Sequence, residues 1–217
     1  MPPLILQKGS ASMPIKNIVF DMGNVLISFD RLFYCTRQSS SEEDRGLLLD
    51  EVFRGVEWTQ TDRGSVTPED AAASICKRLP ERLHKSAKNI VTAWYKDGGL
   101  RIIPGMEELI SSLKNNGYKT YLLSNASVLF YEYYKQIPAI TMLDGIFLSA
   151  DWRLLKPSED IYRAFFARFS LTPAECFFID DLPINIEGAL NTGMNGFIFK
   201  GNIEKLKNAL LESGVKI

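Results

Sequence analysis

Short, unbroken apolar runs bounded by turn residues recur along the chain, at residues 18–20, 121–123, 146–148, 177–179 and 197–199. Continuous rather than alternating hydrophobicity predicts strands covered on both faces. Helical patterns lie between them, over residues 105–116, 128–135, 157–169, 185–191 and 203–211. Strand and helix in alternation imply right-handed crossovers, so the expected fold class is α/β, a doubly wound parallel sheet. The alternation fails over residues 31–100, where SSEEDRGLLLDEVF, TPEDAAASICKRL and AKNIVTAWY are all helical in pattern. Ser41 and Thr67 fit helix caps followed by first-turn acids. The predicted organisation is a flexible tail at 1–14, a sheet domain from 15–30 and 101–217, and an all-helical cap inserted at 31–100.

Composition narrows the classes. Hydrophobic residues make up 46% of the 217 and charged residues 24%, which excludes a disordered or fibrous chain. Twenty-five Lys and Arg stand against 26 Asp and Glu, so no overall field exists to hold a nucleic acid or an anionic membrane. No apolar run approaches the roughly 18 residues of a membrane span. Cys35, Cys76 and Cys176 are odd in number and form no C-x-x-C pair, which predicts a reducing, cytoplasmic setting. His84, the single histidine, lies in the polar stretch ERLHKSAK and reads as a solvated surface residue, so most histidine-based hydrolase chemistry is excluded. The aromatic stripes LFYEYY and YRAFFARF read as packing faces.

In doubly wound sheets ligands bind beyond the carboxyl ends of the strands. Asp21 follows the first core strand in a tight turn with Gly23, where a carboxylate ionised at neutral pH is able to attack phosphorus. Ser124 and Asn125 end the second, offering a hydroxyl and backbone N–H groups to an anion. Lys156 follows the third, just before Pro157, and Arg153 is a weaker candidate nearby. The fourth runs into Asp180 and Asp181, adjacent carboxylates that repel each other and invite a hard divalent cation such as Mg²⁺.

In this order FDMGNVL, LLSNAS, LLKPSEDIY and FIDDLPINIEGA resemble the haloacid dehalogenase superfamily of aspartate-nucleophile hydrolases over residues 15–200. The resemblance implies a Rossmann-like core with a helical cap and a Mg²⁺-dependent phosphomonoesterase acting through an aspartyl phosphate. It makes Asp21 the nucleophile and a metal ligand, with Lys156 steadying the charge and Ser124 and Asn125 binding the phosphoryl group. Asp181 becomes the direct metal ligand, Asp180 a ligand through water and Asn185 their support. Phosphatases of the superfamily usually carry a second aspartate two residues after the nucleophile, as general acid and base. Here that position is Gly23, whose carbonyl is still able to ligate Mg²⁺.

General acid catalysis contributes about 10² to 10⁴ in rate, so an enzyme without it favours leaving groups that tolerate charge, such as a sugar 1-phosphate. The DxGNV variant is also similar to that of an α-D-glucose 1-phosphate phosphatase subgroup. Trp58, Asp62 and Arg63 are expected in a loop between cap helices, where they contact substrate. Asp30 and the cap acids are the candidates for activating water. The expected partner is a small phosphorylated metabolite, with the chain a monomer or weak homodimer. Two alternatives stand beside this reading. One is a 2-haloacid dehalogenase-like hydrolase, and the other is a catalytically reduced phosphate-binding protein.

Overall fold

The computed structural model describes Leu4–Ile5 and residues 13–217. Six strands form one sheet: β1 (Leu4–Ile5), β2 (Asn17–Phe20), β3 (Lys119–Ser124), β4 (Gly145–Leu148), β5 (Cys176–Asp180) and β6 (Asn195–Ile198). Their order is β1-β6-β5-β2-β3-β4, parallel throughout except for β1. The flexible-tail expectation is corrected at Leu4–Ile5, which pair antiparallel with Phe197 and Gly196. The rest of that expectation up to residue 12 falls outside the described residues.

Between β2 and β3 come α1 (Arg31–Gln38), α2 (Glu42–Leu48), α3 (Val56–Asp62), α4 (Pro68–Cys76), α5 (His84–Ala93) and α6 (Met106–Asn115). The Ser41 and Thr67 side chains accept from Asp44 N and Asp70 N, as N-caps do. Helices α7 (Phe130–Tyr133), α8 (Pro138–Thr141), α9 (Ser149–Trp152), α10 (Glu159–Phe169), α11 (Pro183–Asn191) and α12 (Ile203–Glu212) complete the chain. None among the described residues is long and apolar enough to cross a membrane.

Alternate β2 residues enter two separate cores. Ile18 and Phe20 join the cluster that runs through α6 and α12 into the cap, while Val19 joins Tyr162, Phe165, Phe178 and Ile186 on the opposite face. Each fully buried aromatic or aliphatic side chain contributes about 1.5–3 kcal/mol, and burial on both faces is why the runs do not alternate. The two aromatic stripes are packing faces, with Phe130, Tyr133, Tyr162 and Phe165 all buried.

The cap leaves and rejoins the sheet domain through paired connectors, where Ser28 N donates to Arg101 O (2.8 Å) and Ile103 N to Leu26 O (3.0 Å). Its aromatic core continues into the sheet domain, with the Trp94 and Tyr133 rings 5.0 Å apart. An ion pair between an exposed arginine and a buried carboxylate ties α3 to the end of α4: Arg78 holds Glu57 through two bonds, at 2.6 and 3.0 Å, and Ser74 adds a third. The Arg78 bonds outweigh burial and hold the Glu57 carboxyl below its usual 4.5. That stability is present above pH 4.5 and is lost as pH falls through the lower folded value. Arg78→Ala is expected to cost about 1–3 kcal/mol at pH 7 by leaving a buried carboxylate without its partner. In urea unfolding monitored by circular dichroism, the difference from the parent should shrink on acidification.

Candidate active site

Parallel pairing brings the ends of β2, β3 and β5 to one edge. Asp21 N donates to Ile179 O (2.9 Å), which holds the nucleophile candidate beside the strand that ends in Asp180. Lys156 reaches this edge from the β4–α10 connection with a side chain only 1% exposed. Its Nζ lies 2.8 Å from Asp21 Oδ1 and 2.7 Å from Asp180 Oδ2, and donates to Leu123 O at 3.0 Å. One buried ammonium is thus shared by two carboxylates. Burial pushes the Lys156 pKa down, but Asp180 and Asp21 outweigh it and the net displacement is upward. Asp21 moves up to about 6, because burial and the Asp180 charge together exceed the attraction of a lysine that it does not own alone.

Asp180 is saturated. Beyond Lys156, it accepts from Asn185 Nδ2 on both oxygens (3.1 and 3.0 Å) and from Leu182 N (2.8 Å). Asp181 stands nearer the cavity, taking one bond from Asn24 Nδ2 (3.0 Å), and burial raises its pKa. Asp21, Asp180 and Asp181 each bring an oxygen within 4.8 Å of the others. Three carboxylates against one ammonium leave negative charge uncompensated, and an all-oxygen donor set fits a hard divalent cation such as Mg²⁺. In the loop after β2 the N–H groups of Val25, Leu26 and Ile27 converge on Met22 O rather than on the Gly23 carbonyl.

A cavity of about 800 Å³ opens over this cluster between cap and sheet. It is lined by Asp21, Gly23, Asn125, Lys156, Asp181 and Asn185 of the expected set, and by Trp58 and Asp62 from the cap. The structure places the other expected residues as follows. Ser124, expected to bind the phosphoryl group, is 1% exposed and is not among the lining residues, which begin one position later. Asn125 lines the cavity, and its amide also accepts from Lys156 N at 2.9 Å and donates to Lys156 O at 3.0 Å, which ties it to the backbone of the lysine. Trp58 and Asp62 belong to helix α3 rather than a loop, and Arg63, its C-cap, is exposed and outside the cavity. Four residues apart on a helix, Trp58 and Asp62 share a face from which Arg63 is turned away.

Arg153 is likewise exposed and outside the cavity. His84, expected to be solvated, is half-buried, with Nε2 3.0 Å from Leu79 O, and is not a cavity residue. Residues the sequence reading missed are Arg31, Ser127 and Asn24, all of which line the cavity. Asn24 takes a positive φ of 54°, a conformation its short amide tolerates, and also accepts from Phe29 N at 2.9 Å.

Acidic side chains and one buried lysine at the carboxyl edge of a parallel sheet, beneath an inserted helical cap, define a capped α/β hydrolase. The chain belongs to the haloacid dehalogenase-like hydrolase family, whose model matches residues 15–193. It is 26% identical over 183 residues to the sesquiterpene phosphatase astK of Aspergillus oryzae, covering 83% of this chain and 88% of that protein. It is 25% identical over 160 residues to flavin mononucleotide hydrolase 1 of Arabidopsis thaliana, covering 74% of this chain and 63% of that relative's length. Among the solved structures that share the fold are these two. A HAD-like hydrolase of Porphyromonas gingivalis matches at TM-score 0.69 with 22% identity over 91% of this chain and 98% of its own. A HAD family enzyme of Bacteroides thetaiotaomicron, in complex with magnesium and inorganic phosphate, matches at 0.66 with 24% identity over 87% and 96%.

Proposed function

We propose that the protein is a Mg²⁺-dependent phosphomonoesterase acting on a small phosphorylated metabolite through an aspartyl phosphate. The observation that carries this is Lys156, buried and bonded to both Asp21 and Asp180, with Asp181 completing a carboxylate cluster that opens on a cavity. Asp21 Oδ attacks phosphorus in line, the ester bond to the leaving oxygen breaks, and water then cleaves the acyl phosphate. Lys156 holds Asp21 in place and balances charge on the phosphoryl oxygens, while Asn125 fixes the lysine backbone. Asp21, Asp181 and the Gly23 carbonyl would hold Mg²⁺, with Asp180 behind them. The cation supplies charge neutralisation on the transferring group.

The rings of Phe29, Phe53, Trp58, Trp94 and Tyr133 wall the same cavity. Phe53 and Trp58 stand 4.7 Å apart and Phe29 and Trp94 5.2 Å apart. Such a wall favours an organic body with a flat or apolar face. The pyranose of a sugar 1-phosphate meets this by C–H stacking, and the sesquiterpene phosphatase relative extends the range to apolar alcohols. A phosphomonoester panel with and without Mg²⁺ tests the reading. Phosphate release is expected only with the metal, faster for sugar 1-phosphate, flavin and isoprenoid esters than for glycerol phosphate. Chloride release from 2-chloropropionate in EDTA, or phosphate binding without turnover across the panel, would overturn it.

A further inference from the structure

The reaction needs a proton donor for the leaving oxygen and a base for the attacking water, and Gly23 supplies neither. Space is not the reason: a Cβ at Gly23 would meet only Phe29 Cβ, at 3.9 Å. Four aspartates line the cavity: Asp21, Asp30, Asp62 and Asp181. Asp21 is occupied as nucleophile. Asp30 caps α1, accepting from Leu32 N at 3.0 Å and Phe33 N at 3.2 Å. Asp181 belongs to the carboxylate cluster and is tied to Asn24. Asp62 is the one of the four that neither caps a helix nor joins the carboxylate cluster; its carboxyl accepts from the Ser127 N–H and forms no ion pair among the described residues.

Its backbone is fixed to the sheet domain rather than carried on a loose lid. The Ser149 hydroxyl donates to the Asp62 carbonyl and accepts from Ala126 N at 2.9 Å, linking the end of α3 to the loop after β3. Two residues on, Gly64 has φ +71°, and any Cβ there would come within 2.3 Å of Ala150 O. Only glycine permits so close an approach of cap to α9. The cap is therefore pinned at the point where Asp62 enters the cavity.

Resting on the phosphomonoesterase reading, we propose that Asp62 is the general acid and base of this protein, delivered by the cap in place of the side chain missing at Gly23. Asp62 gives its proton to the leaving alkoxide as the bond from phosphorus to the ester oxygen breaks and the bond to Asp21 forms. The resulting carboxylate takes a proton from water as that water attacks phosphorus and releases Asp21. The environment agrees. Burial and the Asp21 charge push the Asp62 carboxyl well above the ordinary range, against the pull of Arg31, Lys156 and the Ser127 N–H. A carboxyl so placed holds a proton more readily than a solvated aspartate does. With Asp62 present, alkyl phosphates become substrates despite Gly23.

The test is the dependence of kcat/KM on leaving-group pKa, measured with Mg²⁺ from nitrophenyl to simple alkyl phosphates. Asp62→Asn is expected to lose about 10²-fold or more on the alkyl esters and far less on p-nitrophenyl phosphate, steepening the slope. A nitrophenol burst should follow, because the water step is slowed as well. In the Asp62→Asn background, Gly23→Asp should restore alkyl turnover by more than it changes the parent. An unchanged slope, or no selective restoration by Gly23→Asp, overturns the assignment. Retention of parental activity by Asp21→Asn would instead overturn the underlying phosphomonoesterase reading, so the two failures are distinct.

Discussion

Asp21→Asn is expected to reduce hydrolysis of p-nitrophenyl phosphate in Mg²⁺ by about 10⁴-fold or more, the scale seen when a nucleophile is removed from a machinery that acts as a unit. Asparagine keeps the size and replaces the attacking oxygen's negative charge with a neutral amide. It also removes one of the two carboxylates sharing Lys156, and the burial that holds the Asp21 pKa up at about 6 shows that its charge is costly to keep. The variant should therefore fold at least as stably as the parent while losing turnover. Thermal unfolding and initial rates on one preparation separate these effects. Parental turnover with an intact melting curve would remove Asp21 from the reaction.

Lys156→Met is expected to cost about 3–5 kcal/mol of stability, the penalty for breaking a buried pair from one side, which for a chain of this length lowers the melting temperature by about 6–20 °C. The reason is geometric. Asp180 is completely buried and Asp21 is 7% exposed, so deleting the ammonium leaves two largely desolvated carboxylates facing each other without a counter-charge. Added Mg²⁺ should recover part of the loss, because a dication replaces the charge. Activity should not return with it, since the group that balances the phosphoryl oxygens is gone. A melting curve that is parental and insensitive to Mg²⁺ would show that Lys156 is not the keystone of the site. Lys156→Arg is no rescue, because a planar fork does not reproduce one nitrogen bonded to Asp21, Asp180 and Leu123 O.

Much of the site was legible because strand ends are marked twice, by the apolar run that stops and by the polar residue that follows. Asp21, Lys156, Asp180 and Asp181 were found in this way and converge. Ser124 ends β3 as expected, but is buried there. A strand that continues through Ser124 keeps that side chain inside and leaves Asn125 and Ser127 as the first to meet the cavity. The amide of Asn125 was read from sequence as a phosphate ligand, and the structure adds what sequence could not show, one bond donated to and one accepted from the backbone of Lys156, 31 positions away. In the cap, WTQTDRG lacks a strong apolar period and read as a loop. Packing of Trp58 against Phe29 and Phe53 makes it the last turns of α3.

The amino-acid order by itself determined the alternation of strand and helix, the helical interruption, and which residue types stand at each strand end. These depend on hydrophobic period and turn chemistry, which act over neighbours. Only the tertiary structure decided that one ammonium serves two aspartates, that Arg63 faces solvent while Asp62 enters the cavity, and that the tail's Leu4–Ile5 extend the sheet beyond β6. Each of those outcomes depends on charge and shape contributed by segments far apart in the chain, and no local pattern carries that information.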